Sequence, residues 1–257
     1  MQLSVILALV LLVYGVEAHF TFSHLLVNNT QFSAWKYVRD VALGTDSFEA
    51  YPNHPEWNKT FPQFDLASLD LRCGRSAYKP SPKTLTADIV AGSPIGFRIA
   101  QNWPWDDFSA RIQHPGPGQV YLAKAPKGVS VAEWDGDGVW FKVAYAGPVS
   151  DTKWTLQNGV DFNFTIPHTT PPGTYLMRVE MIYPNVLPET LGTQFYVNCA
   201  QVNILGPGGG TPKDFARFPG AYTKDTPGVK MDEAAFGPPL NRNLNRYPIP
   251  GPAIWTG

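Results

Sequence analysis

The chain has 257 residues and a formal net charge of −1, with a sequence pI near 6.5. This balance excludes a strongly basic nucleic-acid-binding protein and an acidic tail protein. Hydrophobic residues make up 44%, enough for a core, whereas charged residues make up 16% beside 23 Gly and 25 Pro. Such a composition favours strands joined by turns and long loops over helices, and the length fits one domain of about 200 residues plus a tail.

The first residues predict export. An apolar run over residues 3–14 is followed by Val16-Glu17-Ala18, and the small residues at positions −3 and −1, Val16 and Ala18, fit signal-peptidase cleavage after Ala18. The run is shorter than the roughly 20 residues of a membrane anchor. We therefore expect residues 1–18 to be a signal peptide and the mature, secreted protein to begin at His19 as a single catalytic domain over residues 19–257.

Two further features agree with an oxidising, extracellular compartment. Asn28, Asn58 and Asn163 each begin an N-glycosylation sequon. The only two cysteines, Cys73 and Cys199, predict one disulfide in such a compartment. Two unrelated buried thiols are the alternative for the cysteines.

The mature part reads as short strands in chain order. Residues 19–27 alternate as a half-buried strand, whereas residues 34–75, rich in Pro, Asn, Asp and aromatics, predict a long surface loop. The further predicted strands cover two segments within 84–99 around a Gly-Ser-Pro turn, and residues 119–124, 139–145, 160–166, 175–182 and 194–204. Because no long helical periodicity separates them, the pattern predicts an all-β, immunoglobulin-like or fibronectin III-like β-sandwich with long loops.

The composition changes near residue 206. Gly206-Pro-Gly-Gly-Gly-Thr-Pro opens a segment rich in Pro, Gly and Asn, which also carries six aromatic residues: Phe215, Phe218, Tyr222, Phe236, Tyr247 and Trp255. Disordered segments are usually poor in aromatics. Residues 206–257 are therefore expected to form an ordered wrap on the sandwich.

Cleavage after Ala18 would make His19 the first residue of the mature chain. An amino-terminal histidine offers a metal two ligands. Its α-amine has an ordinary pKa near 7.7–8.0, so a metal displaces the proton readily, and its imidazole supplies a second nitrogen. One more imidazole would complete a nitrogen-rich set suited to Cu(II). Among the other histidines, His114 precedes Pro115-Gly-Pro117 and a strand, where a turn presents a side chain rigidly, whereas His24, His54 and His168 lack such a setting.

Several blocks in the same order resemble one family. The mature chain is similar to the fungal lytic polysaccharide monooxygenases of auxiliary activity family 9, formerly glycoside hydrolase family 61. The matching blocks are the histidine exposed by cleavage, HPGP at 114 with VYLAK at 120, GVWFKV at 138, PGTYLMRVE at 172, GTQFYVNCAQVNI at 192, FPGAY at 218 and YPIPGPAIW at 247.

The resemblance implies a role for each matching position. One copper ion would be held by the amine and ring of His19 and by the ring of His114, in an arrangement called a histidine brace, with Tyr196 at the axial position. Gln194 would donate a hydrogen bond toward an oxygen species. Tyr247 would stack on substrate, although packing in the core is an alternative for it. Cys73 and Cys199 match a disulfide of the family.

One position departs from the family pattern. Many members have a histidine about eleven residues before the axial tyrosine, and here Asn185 occupies that place. Asparagine donates a hydrogen bond but does not titrate near neutral pH. We therefore expect proton delivery to differ at this site, while copper binding is less affected.

The expected activity is copper-dependent oxidative cleavage of β-1,4-glucan, most simply cellulose, at C1 or C4. It would use O2 or H2O2 and an external electron donor, and the protein would act as a monomer without nucleic acid or membrane partners. Three alternatives stay open: the same chemistry on a hemicellulose such as xyloglucan, a copper- or carbohydrate-binding protein with little oxygenase activity, and a purely structural sandwich. A glycosidase would need a pair of carboxylic acids, for which Asp135, Asp137, Glu180 and Glu189 are present but not marked out.

Overall fold

The computed structural model describes residues 19–44, 55–100, 111–184 and 192–257. Its strands are β1 (His24–Val27), β2 (Thr30–Gln31), β3 (Ala87–Val90), β4 (Pro94–Arg98), β5 (Gly118–Lys124), β6 (Trp140–Ala146), β7 (Pro148–Ser150), β8 (Lys153–Trp154), β9 (Asp161–Thr165), β10 (Gly173–Tyr183), β11 (Gln194–Leu205) and β12 (Phe215–Ala216). The helices are short: α1 (Asp70–Cys73), α2 (Glu233–Phe236) and two 3-10 segments, Pro55–Thr60 and Leu244–Arg246. Within these ranges no helix is long and apolar enough to cross a membrane.

Two sheets form the sandwich that the sequence predicts. The smaller has the order β2-β1-β4-β9, and the larger has the order β12-β6-β5-β10-β11-β3, with a separate hairpin of β7 and β8. All pairs in the larger sheet are antiparallel except β11 with β3. The prediction of an immunoglobulin-like β-sandwich is confirmed, and the long strands lie within one or two residues of the predicted ranges.

The first strand is shorter than predicted. It begins at His24 rather than His19, because the backbone before it bonds to other partners. The Thr21 carbonyl accepts from the Ala100 amide at 3.0 Å, and the Phe22 amide donates to a side chain, Asn198 Oδ1, at 2.9 Å. The first mature residues therefore lie along the sandwich without being part of its sheet.

The central strands of the larger sheet are buried on both faces. One face packs on the smaller sheet through residues such as Val120, Val179 and Phe97. The other face is covered by chain segments outside the sheets, including Leu71 and Phe218. This explains why these strands read as nearly continuous apolar runs rather than as strict alternation.

The described parts of the segment 34–75 are partly buried, which corrects the prediction of a long surface loop. Leu71 and Cys73 are fully buried, and so is the guanidinium of Arg39, which donates to the carbonyls of Val131 and Trp134 at 2.7 Å each. A disulfide joins Cys73 on α1 to Cys199 on β11, as predicted. The described parts of the segment, residues 34–44 and 55–75, therefore contribute buried side chains to the second layer of the core.

The tail forms the ordered wrap that its aromatics predict. Phe218 and Tyr222 pack on the outer face of the larger sheet, and Tyr247 packs on Trp154 in a separate small cluster. Near the carboxyl end, Ile254 forms a bridge with Lys142 on β6. These contacts keep residues 206–257 against the sandwich.

Candidate metal centre

Three segments that are distant in sequence bring two histidines and a tyrosine together. The ring centroids of His19 and His114 lie 6.2 Å apart. The Tyr196 ring lies 6.2 Å from His19 and 5.8 Å from His114. The three rings thus form a nearly equilateral triangle at one end of the sandwich, and these are residues that the sequence singled out.

His19 is held in place by the residues that follow it. Asn198 on β11 accepts hydrogen bonds at its Oδ1 from the Phe22 amide, at 2.9 Å, and from the Thr21 hydroxyl, at 3.1 Å. The His19 ring meets the edge of Phe61 at 5.6 Å between centroids. The amino-terminal segment is therefore attached to the same strand that carries Tyr196.

His114 lies in a turn that is fastened to the end of β10. The Ile182 amide donates to the Pro117 carbonyl at 3.0 Å. Gly116 has a φ of +149°, and a Cβ there would lie 1.9 Å from the Ile182 carbonyl oxygen, so only glycine allows this approach. The His-Pro-Gly-Pro turn thereby fixes where the backbone of His114 lies.

Gln194 and Tyr196 point from one face of β11, since side chains two apart share a face of a strand. The Tyr196 hydroxyl donates to Gln194 Oε1 at 2.6 Å. Phe20 stacks on the Tyr196 ring with centroids 4.3 Å apart and planes 12° apart. This contact restrains the tyrosine from one side and ties it to the residue next to His19.

Burial keeps both imidazoles neutral. It lowers the pKa of His19 to about 4, and it lowers the pKa of His114 to about 4 with a smaller contribution from the charge of His19. Near neutral pH both rings therefore present a nitrogen lone pair, which is the form that binds metals.

The donor set fits a metal that prefers nitrogen. His114 Nε2 is buried and has no hydrogen-bond partner, and an unpaired buried ring nitrogen is costly unless something binds it. In the described part of the chain no three His, Cys, Asp or Glu side chains group together. Two imidazoles alone do not make a zinc site, so a metal here needs a further donor, and an α-amine at His19 would supply a third nitrogen.

Four neighbours of the site were not expected from the sequence: Phe20, Phe61, Tyr183 and Asn198. Tyr183 stacks on His114 with centroids 4.3 Å apart and planes 10° apart. Asn198 follows Tyr196 by two residues, so the period of the strand placed it on the face of Gln194 and Tyr196. The other three depend on packing between distant segments, which no local pattern indicates.

Tyr247 is not placed to stack on a substrate, which corrects that expectation. Its side chain is 7% exposed, lies 4.8 Å from Trp154 between ring centroids, and donates its hydroxyl to the Gly228 carbonyl. Burial also raises its pKa well above the usual value. The structure supports the alternative reading, in which Tyr247 anchors the tail.

The three asparagines predicted to carry N-glycans differ in their exposure to solvent. Asn28 and Asn163 are exposed, as N-glycan acceptors need to be. Asn58 is only 9% exposed within its 3-10 segment, so the expectation of a glycan there is corrected. Asn185 lies outside the described residues.

The candidate acids for a glycosidase that the structure describes form ion pairs with arginines. Glu180 is fully buried, paired with Arg178 at 2.7 Å, and accepts from Gln119 at 3.2 Å. Asp135 and Asp137 lie 3.1 Å and 3.5 Å from the Arg72 guanidinium. Asp135 and Asp137 thus share one cationic partner, and Glu189 lies outside the described residues.

Comparisons with known proteins find one family over most of the chain. The sequence model of "Auxiliary Activity family 9 (formerly GH61)" matches residues 19–237. "AA9 family lytic polysaccharide monooxygenase U" of Thermothielavioides terrestris is 49% identical over 256 residues, covering 95% of this chain and 94% of that protein. A second relative, "AA9 family lytic polysaccharide monooxygenase H" of Malbranchea cinnamomea, is 35% identical over 97% of both chains. The solved structure called CvAA9A superposes with a TM-score of 0.70 at 26% identity, covering 92% of this chain and 98% of that one.

Proposed function

Because this chain belongs to Auxiliary Activity family 9, we propose that its mature form binds one copper ion at His19, His114 and Tyr196 and oxidatively cleaves β-1,4-glucan. The family consists of lytic polysaccharide monooxygenases, which are oxidoreductases that cleave polysaccharides with copper. Cellulose is the proposed substrate, with cleavage at C1 or C4. The protein acts as a monomer with a polysaccharide, O2 or H2O2 and an external electron donor as its partners.

The observation that carries the metal assignment is the unpaired, buried Nε2 of His114, whose ring lies within 6.2 Å of the rings of His19 and Tyr196. That nitrogen, a ring nitrogen of His19 and the α-amine of His19 would hold the ion, with the Tyr196 phenol beside it. A set of three nitrogens suits Cu(II), and at a given site Cu(II) also binds more tightly than the other divalent first-row metals.

The α-amine exists only after residues 1–18 are removed, since in the uncleaved chain this nitrogen belongs to a peptide bond. The match to the family model begins at His19, which supports a signal peptide that ends at Ala18. The disulfide between Cys73 and Cys199 and the exposed sequons at Asn28 and Asn163 suit an exported protein. We therefore propose that the protein is secreted before it binds copper.

The side chains around the proposed copper site have separate roles. Copper, when bound, supplies one-electron redox chemistry with the oxygen co-substrate and the external reductant. His19 and His114 hold it with neutral rings, and Phe20 restrains Tyr196 from one side. Since the Gln194 carbonyl oxygen accepts from Tyr196, its amide nitrogen is left as the donor toward the oxygen co-substrate. Asn185 stands in place of a histidine, and asparagine can donate a hydrogen bond but does not titrate near neutral pH.

The experiment compares Cu(II) binding by three chains: one whose amino terminus is confirmed as His19, one that keeps Ala18 ahead of it, and His114→Ala. Tight one-to-one binding with an axial, nitrogen-dominated paramagnetic resonance spectrum is expected for the first alone. Equal affinity in all three would overturn the site. Incubation with reductant and cellulose or xyloglucan then identifies the substrate, because oxidised soluble oligosaccharides indicate the enzyme and polymer binding without products indicates a carbohydrate-binding protein.

A further inference from the structure

Among the described residues, no hydrogen bond to a protein group orients the His114 ring. A metal-binding histidine normally donates its second ring nitrogen to a carboxylate, a carbonyl or a water, which fixes the ring plane. The backbone of the turn is fixed by Gly116 and Pro117, but these contacts leave rotation about the side-chain bonds unrestrained.

One aromatic ring lies flat against His114. Tyr183 stacks on it with centroids 4.3 Å apart and planes only 10° apart. By comparison, the His19 and Tyr196 rings are inclined to His114 by 52° and 35°. Tyr183 is thus the described ring that is parallel to His114 and close enough for stacking.

Tyr183 itself is firmly placed. It is the last residue of β10 and pairs with Gln194, the first residue of β11. The residue before it, Ile182, donates its amide to the Pro117 carbonyl of the histidine turn at 3.0 Å. The strand that carries Tyr183 is therefore hydrogen-bonded to the same turn that carries His114, which holds the backbones of the two residues side by side.

We propose that Tyr183 is the positioning residue of His114: its ring face sets the imidazole plane and so directs Nε2 toward His19 and Tyr196. Stacking here takes the place of the usual hydrogen bond. The inference rests on the proposed function, because it concerns a ligand of the proposed copper site. It predicts that the planar face of residue 183 determines metal affinity, whereas its hydroxyl does not.

The test measures the Cu(II) dissociation constant by competition with a chelator, in chains that begin at His19. Tyr183→Phe keeps the planar ring and should stay within about twofold of the unchanged protein. Tyr183→Ala removes the ring and should bind about 10-fold to 100-fold more weakly, as is typical when a group that orients a ligand is lost. The resonance spectrum of the bound Cu(II) should broaden or shift in the alanine variant alone.

A matched control separates positioning from general loss of packing. Tyr37→Ala removes another half-buried tyrosine, one that packs edge-on against Phe32 at 5.0 Å away from the site. It should bind copper normally, although its metal-free melting temperature should fall at least as far as that of Tyr183→Ala. If Tyr183→Ala does not fold, Tyr183→Leu retains much of the buried volume without a planar face and should show the same weakening.

The outcomes are distinct. An alanine or leucine variant that binds within twofold of the unchanged protein overturns the inference, and so does a phenylalanine variant as weak as alanine. If the unchanged protein binds no copper although its terminus is His19, the proposed function fails, which is a different result. Loss of binding in His114→Ala beside normal binding in Tyr183→Ala would retain the site and reject the role of Tyr183.

Discussion

The side chain of Asn198 joins the first residues of the mature chain to the strand that carries Tyr196, because its Oδ1 accepts the Phe22 amide at 2.9 Å. Asn198 is 2% exposed, and its Nδ2 has no partner. With Gln194 and Tyr196 it forms one face of β11. A single strand face thus carries the proposed axial ligand, its hydrogen-bond partner and the anchor of the segment that begins with His19.

Asn198→Ala should weaken copper binding without removing any ligand. It leaves the Phe22 amide without its acceptor, which costs about 1–3 kcal/mol of stability, and it loosens His19. We expect Cu(II) affinity to fall about 10-fold, measured by chelator competition. Asn203→Ala, on the same strand, removes only an exposed hydrogen bond to Asp88 and is the control. Equal affinities in the two variants would contradict the anchor role.

Gln194→Leu should lower oxidised product formation about 100-fold and leave copper affinity nearly unchanged. The glutamine accepts from the Tyr196 hydroxyl at 2.6 Å and leaves its amide nitrogen as a donor, and loss of one such donor costs about 10²–10³ in rate. Parallel measurement of product release and Cu(II) affinity tests this. A matching loss of affinity would show instead that Gln194 acts by placing Tyr196.

Lys142 predicts a rise in stability at alkaline pH. Burial lowers its pKa from 10.5 to about 8, so between these values the unfolded chain holds a proton that the folded chain has lost. Stability therefore rises with pH across this window, by about 2 kcal/mol between pH 7.5 and 9.5, and is unaffected by this group below about pH 7.

Urea unfolding at several pH values measures this rise, and Lys142→Met should abolish it. Glu180, whose charge opposes the downward shift of the Lys142 pKa, is unchanged in the comparison. Buried tyrosines such as Tyr145, whose pKa burial raises to about 12, act in the opposite direction above about pH 10, which is why the window ends there. An identical pH dependence in both proteins would reject the assignment.

Tyr247 should matter for stability and not for substrate affinity. Tyr247→Ala removes a buried aromatic that packs on Trp154 and should cost about 3–5 kcal/mol. Tyr247→Phe loses only the bond to Gly228 and should cost about 1 kcal/mol. Denaturant unfolding gives both values, while binding to insoluble glucan should not change in the phenylalanine variant. Weakened glucan binding there would restore the substrate role.

Local pattern predicted the strands and singled out His19, since alternation and the cleavage site are features of a few neighbouring residues, whereas the roles expected of His114, Gln194 and Tyr196 came from the resemblance to the family. The same reasoning missed Tyr183, because its contact with His114 depends on the register of β10 and on a turn about seventy residues earlier in the chain. It also misjudged residues 34–75, where polar composition suggested exposure. Arg39 is buried there because carbonyls from a distant loop satisfy its guanidinium, a compensation that composition does not reveal.

Because its ligands come from separate segments, the proposed copper site is complete only in the folded chain. His19, His114 and Tyr196 come from three separate segments, so an unfolded chain keeps only the chelate offered by its first residue. Ligands that bind the native state alone stabilise it by mass action, by about 4 kcal/mol at a thousand times the dissociation constant. The melting temperature should then report the free copper concentration, and each metal-binding variant can be ranked by the thermal shift it retains.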